Sequence, residues 1–100
     1  MKRIPSYKIK QFIRLPDGEI DLHGLSRNEA IKELADFLYR AERLHWQNVK
    51  VITGRGLNSP GGVSVLKEAV ETWLRTHNYQ YKTAKGKEGG PGSIIVSIYY

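Results

Sequence analysis

The stretch Glu19-Ile20-Asp21-Leu22-His23-Gly24-Leu25 runs directly into Ser26-Arg27-Asn28-Glu29. The first run alternates polar and apolar side chains, the pattern of a half-buried strand. The second has the Ser-x-x-Glu spacing of a helix capping box. A chain with this junction must pass from strand to helix within a few residues, and Gly24 supplies the turn. Strand side chains alternate faces, so Ile20 and Leu22 share one face while Glu19, Asp21 and His23 share the other. Asp21 and His23 thus stand together at the carboxyl end of a strand, just before a helix amino terminus. In open α/β sheets that edge is where ligands bind.

The remainder continues the same alternation of elements. Residues 26–45 carry a helical apolar stripe at Ala30, Ile31, Leu34, Ala35, Leu38 and Ala41, with Leu44 closing it. Asp36 and Arg40 stand four apart on the outer face, and Arg40 and Arg43 lie where the helix dipole favours cations. His45, in that last turn, reads as a solvated or dipole-stabilised side chain. Val49-Lys50-Val51-Ile52-Thr53 is a β-branched second strand bounded by Asn48 and Gly54. The glycine-rich loop 54–62 precedes a second helix from about Val63 to His77, with Leu66, Ala69, Val70, Trp73 and Leu74 as its buried face and Asn78 as a left-handed cap. Tyr79–Thr83 reads as a half-buried strand. A second glycine-rich loop, 84–92, leads to Ser93–Tyr100, whose near-continuous apolar character suits the inside of a sheet.

The order β-α-β-α-β-β predicts a two-layer α/β sandwich: a four-stranded mixed sheet with two helices. Strands joined through helices are expected to be parallel, and the last two to form a hairpin. Strand order does not follow from this reasoning. Residues 1–18 form a basic amino-terminal arm, either packed or loose, with turn chemistry at Pro16-Asp17-Gly18. Residues 19–100 form the domain.

A length of 100 residues suits one domain, and the absence of cysteine excludes disulfides, thiolate metal sites and a cysteine nucleophile. No apolar signal core follows Met1, and no run approaches the ~18 residues of a membrane span. The expectation is a soluble cytoplasmic protein with no membrane partner. Sixteen Lys and Arg against ten Asp and Glu leave a formal charge of +6, which favours a polyanionic partner, nucleic acid before an anionic membrane. Solubility alone is the plainer reading of the same charge.

If the first two strands are parallel, one rim gathers Asp21, His23, the Thr53-Gly54-Arg55-Gly56 turn and both helix amino termini. Glycines let backbone N–H groups approach an anion, and Arg55 adds a planar donor fork suited to phosphate. Lys85 and Lys87 reach that neighbourhood if the last hairpin bends towards it. A histidine, a carboxylate and a phosphate cradle are the parts of a phosphodiester-cleaving site. Each part also has an ordinary structural reading: Gly-Arg-Gly occurs in common turns, and Asp21 suits a turn or cap.

Asp21-Leu22-His23-Gly24, preceded by Ile20, resembles the Leu-Asp-x-His-Gly signature of the Smr (small MutS-related) domain family. Thr53-Gly54-Arg55-Gly56 resembles that family's second signature, His- or Thr-Gly-x-Gly. The similarity runs on through Leu57-Asn58-Ser59, Gly61-Gly62, Val65-Leu66-Lys67, Trp73-Leu74 and Gly89-Gly90-Pro91-Gly92. Ile20 replaces the commoner Leu, and Asn58 stands where many relatives have histidine. The resemblance implies a nucleic-acid-binding domain, often a nuclease that nicks DNA or cleaves RNA, with the Asp-x-His pair needed for activity. It implies a fold similar to the carboxy-terminal domain of translation initiation factor three, and a stand-alone member or an excised domain.

On this reading His23 is the general base or acid, and Asp21 orients it and favours its charged form. Thr53, Gly54, Arg55, Gly56, Lys85 and Lys87 hold the nucleic-acid phosphate. An RNA 2′-hydroxyl is a built-in nucleophile, so no cofactor is required; a divalent metal would draw on Asp21, His23 and Glu19. Stem-structured or branched DNA or RNA fits such a site, and no motif reads bases. A non-catalytic DNA- or RNA-binding module and a protein-interaction domain are the alternatives. DNA against RNA and the oligomeric state stay open.

Overall fold

The computed structural model describes residues 15–54, 65–84 and 92–98. The elements are β1 (Gly18–Asp21), α1 (Arg27–Arg43), β2 (Asn48–Ile52), α2 (Val65–Thr76), β3 (Gln80–Thr83) and β4 (Ser93–Ser97), in the expected order. The sheet runs β1-β2-β4-β3, with β1 parallel to β2 and β4 antiparallel to both its neighbours. The hairpin therefore folds back so that apolar β4 enters the interior, and β1 and β3 become the edges.

One face of the sheet carries both helices. Ile20, Val51 and Ile94 stand in register across it, as do Val49, Val96 and Tyr81. Leu34, Leu38 and Ala41 of α1 and Val70 and Leu74 of α2 close over them, all fully buried in one cluster with Leu22. Burying each such Leu or Val stabilises the fold by about 1.5–3 kcal/mol. The opposite face carries Glu19, Lys50, Ile95 and Lys82 in a single cross-strand row.

The helix ends follow from local chemistry. Ser26 Oγ accepts from the Glu29 N–H and Glu29 Oε1 accepts from the Ser26 N–H, both at 3.2 Å, completing the capping box. That bonding holds the Glu29 carboxyl below its ordinary range. Both helices stop at a residue in the left-handed region, His45 at φ 58° and Asn78 at φ 62°. In each case the next N–H reaches back five residues, Trp46 to Ala41 and Tyr79 to Leu74, as in a Schellman motif. Because α1 ends at Arg43, Leu44 turns outward and is 59 % exposed rather than closing the stripe.

The chain entering β1 is tied to β2. The Asp17 carboxylate accepts from the Gln47 and Asn48 N–H groups at 2.6 and 3.2 Å, and the Asp17 N–H donates to the Asn48 carbonyl at 3.0 Å. Those bonds fix the parallel register that sets Asp21 opposite Ile52.

Candidate active site

Asp21 is the last residue of β1, on the face away from the helices, and His23 follows Leu22, which is fully buried. The Leu22 N–H donates to the Ile52 carbonyl at 2.7 Å, continuing the β1–β2 ladder one step further. Buried Leu22 thus fixes the backbone while the residues on either side project outward. Gly24, at φ 82°, then turns the chain towards the Ser26 cap.

Asp21 Oδ1 accepts two bonds from His23, one from its backbone N–H at 3.0 Å and one at ring Nδ1, 2.5 Å away. The ring bond is the larger cause, and the backbone bond the next, of an Asp21 carboxyl held below the ordinary carboxylate range; slight desolvation opposes them. A carboxylate at Nδ1 fixes that nitrogen as the protonated one. Nε2 then carries the lone pair of the neutral ring. The side chains are 68 % and 49 % exposed for His23 and Asp21, so the pair is open to an incoming ligand.

Gly54 brings the second turn to the first. Its φ is 90°, and a side chain there would begin 3.4 Å from His23 Cβ. The preceding Thr53 is buried, and its hydroxyl donates to the Gly92 carbonyl at 3.3 Å. That same carbonyl accepts the Thr53 N–H at 2.8 Å and the Gly54 N–H at 3.1 Å. Thr53 and the Gly54 amide, expected to hold phosphate, instead donate to the Gly92 carbonyl and brace the turn. In the sequence Gly92 is one more glycine of the loop 84–92. It anchors three bonds where the segment bearing Lys85 and Lys87 returns to the sheet, and the Gly-Pro-Gly run 90–92 is its sequence signal. Arg55, Gly56, Lys85 and Lys87 lie outside the described residues.

Glu19 shares the open face with Asp21, two residues before it. Among the described residues, no three His, Asp or Glu side chains converge closely enough to hold a metal ion. Nor is any described helix long and apolar enough to cross a membrane. His45 and His77 stay apart from the rim at the opposite ends of the helices. His77 stacks on Trp73 with centroids 3.9 Å apart, and its Nδ1 lies 2.9 Å from the Trp73 carbonyl.

Residues 20–99 match the family model for the Smr domain. The chain belongs to the Smr domain family. It is 31 % identical over 100 residues to ribosome rescue factor SmrB of Tolumonas auensis, covering 95 % of this chain and 54 % of that protein. It is 35 % identical over 72 residues to endonuclease NBR9 of Saccharomyces cerevisiae, covering 72 % of this chain and 30 % of that one. The chain thus spans about half of the first relative and under a third of the second. Among solved structures, the Smr domain of Thermus thermophilus MutS2 superposes with a TM-score of 0.69 at 28 % identity, over 80 % of this chain and 95 % of that one. The Smr fold is therefore the four-stranded mixed sheet with two helices described above, and the family includes endonucleases.

Proposed function

We propose that this Smr domain binds nucleic acid and cleaves phosphodiester bonds, with His23 moving the proton and Asp21 holding it in place. The observation that carries the reading is the Asp21 carboxylate on His23 Nδ1, which leaves Nε2 as the acid–base atom on an exposed rim. On RNA, Nε2 takes the proton of a 2′-hydroxyl as that oxygen attacks the adjacent phosphorus. The 5′-oxygen departs with a proton returned by the imidazolium or water, leaving a cyclic phosphate. Asp21 supplies the charge opposite the imidazolium as it forms. Arg55, the Gly56 amide and Lys85 and Lys87 stabilise charge on the phosphate oxygens, and Thr53 and Gly54 hold the loop that carries the first of these. The net charge of +6 draws a polyanion to the surface. The names of the yeast endonuclease and of the bacterial rescue factor agree with action on nucleic acid or at ribosomes.

The test is RNA cleavage and plasmid nicking by the wild type, Asp21→Ala and His23→Ala, in chelator, with folding checked by circular dichroism. Removing the base should lower the cleavage rate by about 10²–10⁴-fold. Equal cutting by folded His23→Ala removes the mechanism, and activity that appears only with added divalent ion removes its metal-free form. Salt-sensitive nucleic-acid binding without any cleavage would instead identify a binding module.

A further inference from the structure

The two helices leave a groove between them that the catalytic reading does not use. Its volume is about 420 Å³, in the range of small-molecule sites. Arg27 and Ile31 line it from α1, and Glu68, Ala69 and Trp73 line it from α2. The aromatic part of its wall is held in place. His77 stacks on the Trp73 indole at 3.9 Å, with Nδ1 2.9 Å from the Trp73 carbonyl, and Tyr79 stacks on the same indole at 6.0 Å. The hydroxyls beside it are already engaged: Thr76 donates to the Thr72 carbonyl at 2.9 Å, and Thr72 Oγ1 accepts from Arg75 at 3.3 Å. The exposed Arg27 and Glu68 side chains have no hydrogen-bond or ion-pair partner among the described residues. The groove thus offers one planar fork of donors and one pair of acceptors beside an apolar surface.

We propose that this groove takes an unpaired guanine base of a bound nucleic-acid strand. Guanine presents two adjacent acceptors, O6 and N7, the usual partners of an arginine fork. Its neighbouring edge presents two donors, N1–H and the N2 amino group, which one carboxylate accepts together. Adenine would turn an acceptor, N1, towards the carboxylate and its amino donor towards the guanidinium, and neither pyrimidine has a two-donor edge. Arg27 and Glu68 therefore hold the base at two edges while its ring lies against Ile31, Ala69 and Trp73. The flanking phosphates stay in solvent. Arg27 opens α1 only four residues after His23, so the groove starts close to the rim that bears the histidine. No sequence motif marks the site, because its charged pair comes from two different helices. The inference rests on the reading that the chain binds nucleic acid, and not on cleavage.

The experiment follows the amide and indole NMR signals of the full chain as 2′-O-methyl RNA pentanucleotides are added. Such strands have no free 2′-hydroxyl to attack, so binding is read without cleavage. Four oligouridine strands carry guanine, adenine, cytosine or uracil at the central position. The guanine strand should shift Arg27, Ile31, Glu68, Ala69 and the Trp73 indole, and bind about fivefold or more tightly than the others, the low end for a bidentate base contact. Glu68→Gln should bring the guanine strand down to the level of the rest, whereas Glu71→Gln, on the same helix outside the groove, should keep the preference. Losing a negative charge strengthens any purely electrostatic attraction to a polyanion, so a fall in affinity reports the base contact. A guanine preference that survives Glu68→Gln overturns the proposal. So does guanosine 5′-monophosphate binding more tightly than the guanine strand, which assigns the groove to a free nucleotide. Equal affinity for all four strands, or shifts confined to the rim around His23 and Gly54, overturns the proposal and leaves nucleic-acid binding standing. No shift with any strand overturns both.

Discussion

His23 Cβ lies 3.4 Å from the point where a side chain at Gly54 would begin, so any side chain there would rest against His23 and the two turns stand side by side at one rim. Gly54 also sits at φ 90°, a conformation that side chains resist. Gly54→Ala should therefore lower stability by about 1–3 kcal/mol, the usual cost of such backbone strain. It should lower cleavage beyond what the lost stability explains, because the relaxing turn shifts the imidazole. Urea unfolding and cleavage assays on the same preparation separate the two effects. A variant as stable and active as wild type would show that the turns do not constrain each other.

Asp21 should titrate below the ordinary carboxylate value of 3.8, because it accepts both His23 bonds. The sign follows from linkage. With its folded value depressed, the group contributes stability above the unfolded pKa of about 3.9, and that contribution is lost as pH falls through the folded value. Carboxyl-carbon NMR should show the midpoint rise in His23→Ala, though not fully, since residue 23 keeps its backbone N–H. Asp21→Asn should lower cleavage while the fold persists, because an amide oxygen holds Nδ1–H but supplies no charge opposite the imidazolium. An unmoved Asp21 midpoint in His23→Ala would mean that the pair does not form in solution.

Gly18 is the seat of Trp46. A β-carbon at residue 18 would lie 2.3 Å from Cζ3 and 2.6 Å from Cη2 of the indole. The ring also packs at 6.0 Å against buried Phe37, which limits how far it can withdraw. Gly18→Ala should cost about 1–3 kcal/mol, in the range of overpacked core positions. In a Trp46→Leu background the same substitution should cost less, since the crowding atoms are gone. Denaturation midpoints of the two single variants and the double variant measure that coupling, and simple additivity would exclude it.

What could be read in the sequence was what repeats locally. The capping box, both helices, the Asn78 cap and the strand bearing Asp21 and His23 each follow from short-range periodicity or side-chain chemistry. Most tertiary choices are not legible. The apolar run of β4 marks it as an interior strand, but which strands flank it is a property of the whole sheet. Phe37 was missed in the α1 stripe because its burial depends partly on Trp46, which returns only after His45 turns the chain. Asp17 looked like turn chemistry, yet its carboxylate bonds to β2 some thirty residues on. At the site, the Asp-x-His spacing gave the pair, whereas the bracing of Thr53 and Gly54 by Gly92 needs a contact across the sheet.

The link between α1 and β3 is also testable, and by a different titration. Tyr79 Oη donates to Glu42 Oε1 at 2.8 Å, joining the residue before β3 to the last turn of α1. Desolvation, then the Glu42 hydrogen bond and its negative charge, push the Tyr79 phenol up to about 12. An acid with a raised folded pKa contributes stability that is complete below the unfolded value of about 10 and is lost as pH climbs through the folded value. Stability should therefore fall between pH 10 and about 12, beyond the loss common to any protein there. Glu42→Gln keeps an acceptor but removes the charge, so the Tyr79 midpoint should drop towards 10 and that alkaline slope should flatten. Ultraviolet phenolate titration, with Tyr79→Phe to assign the late-titrating group, gives the midpoint directly. A Tyr79 midpoint that stays put in Glu42→Gln would assign the whole shift to burial and leave Glu42 no electrostatic part in it.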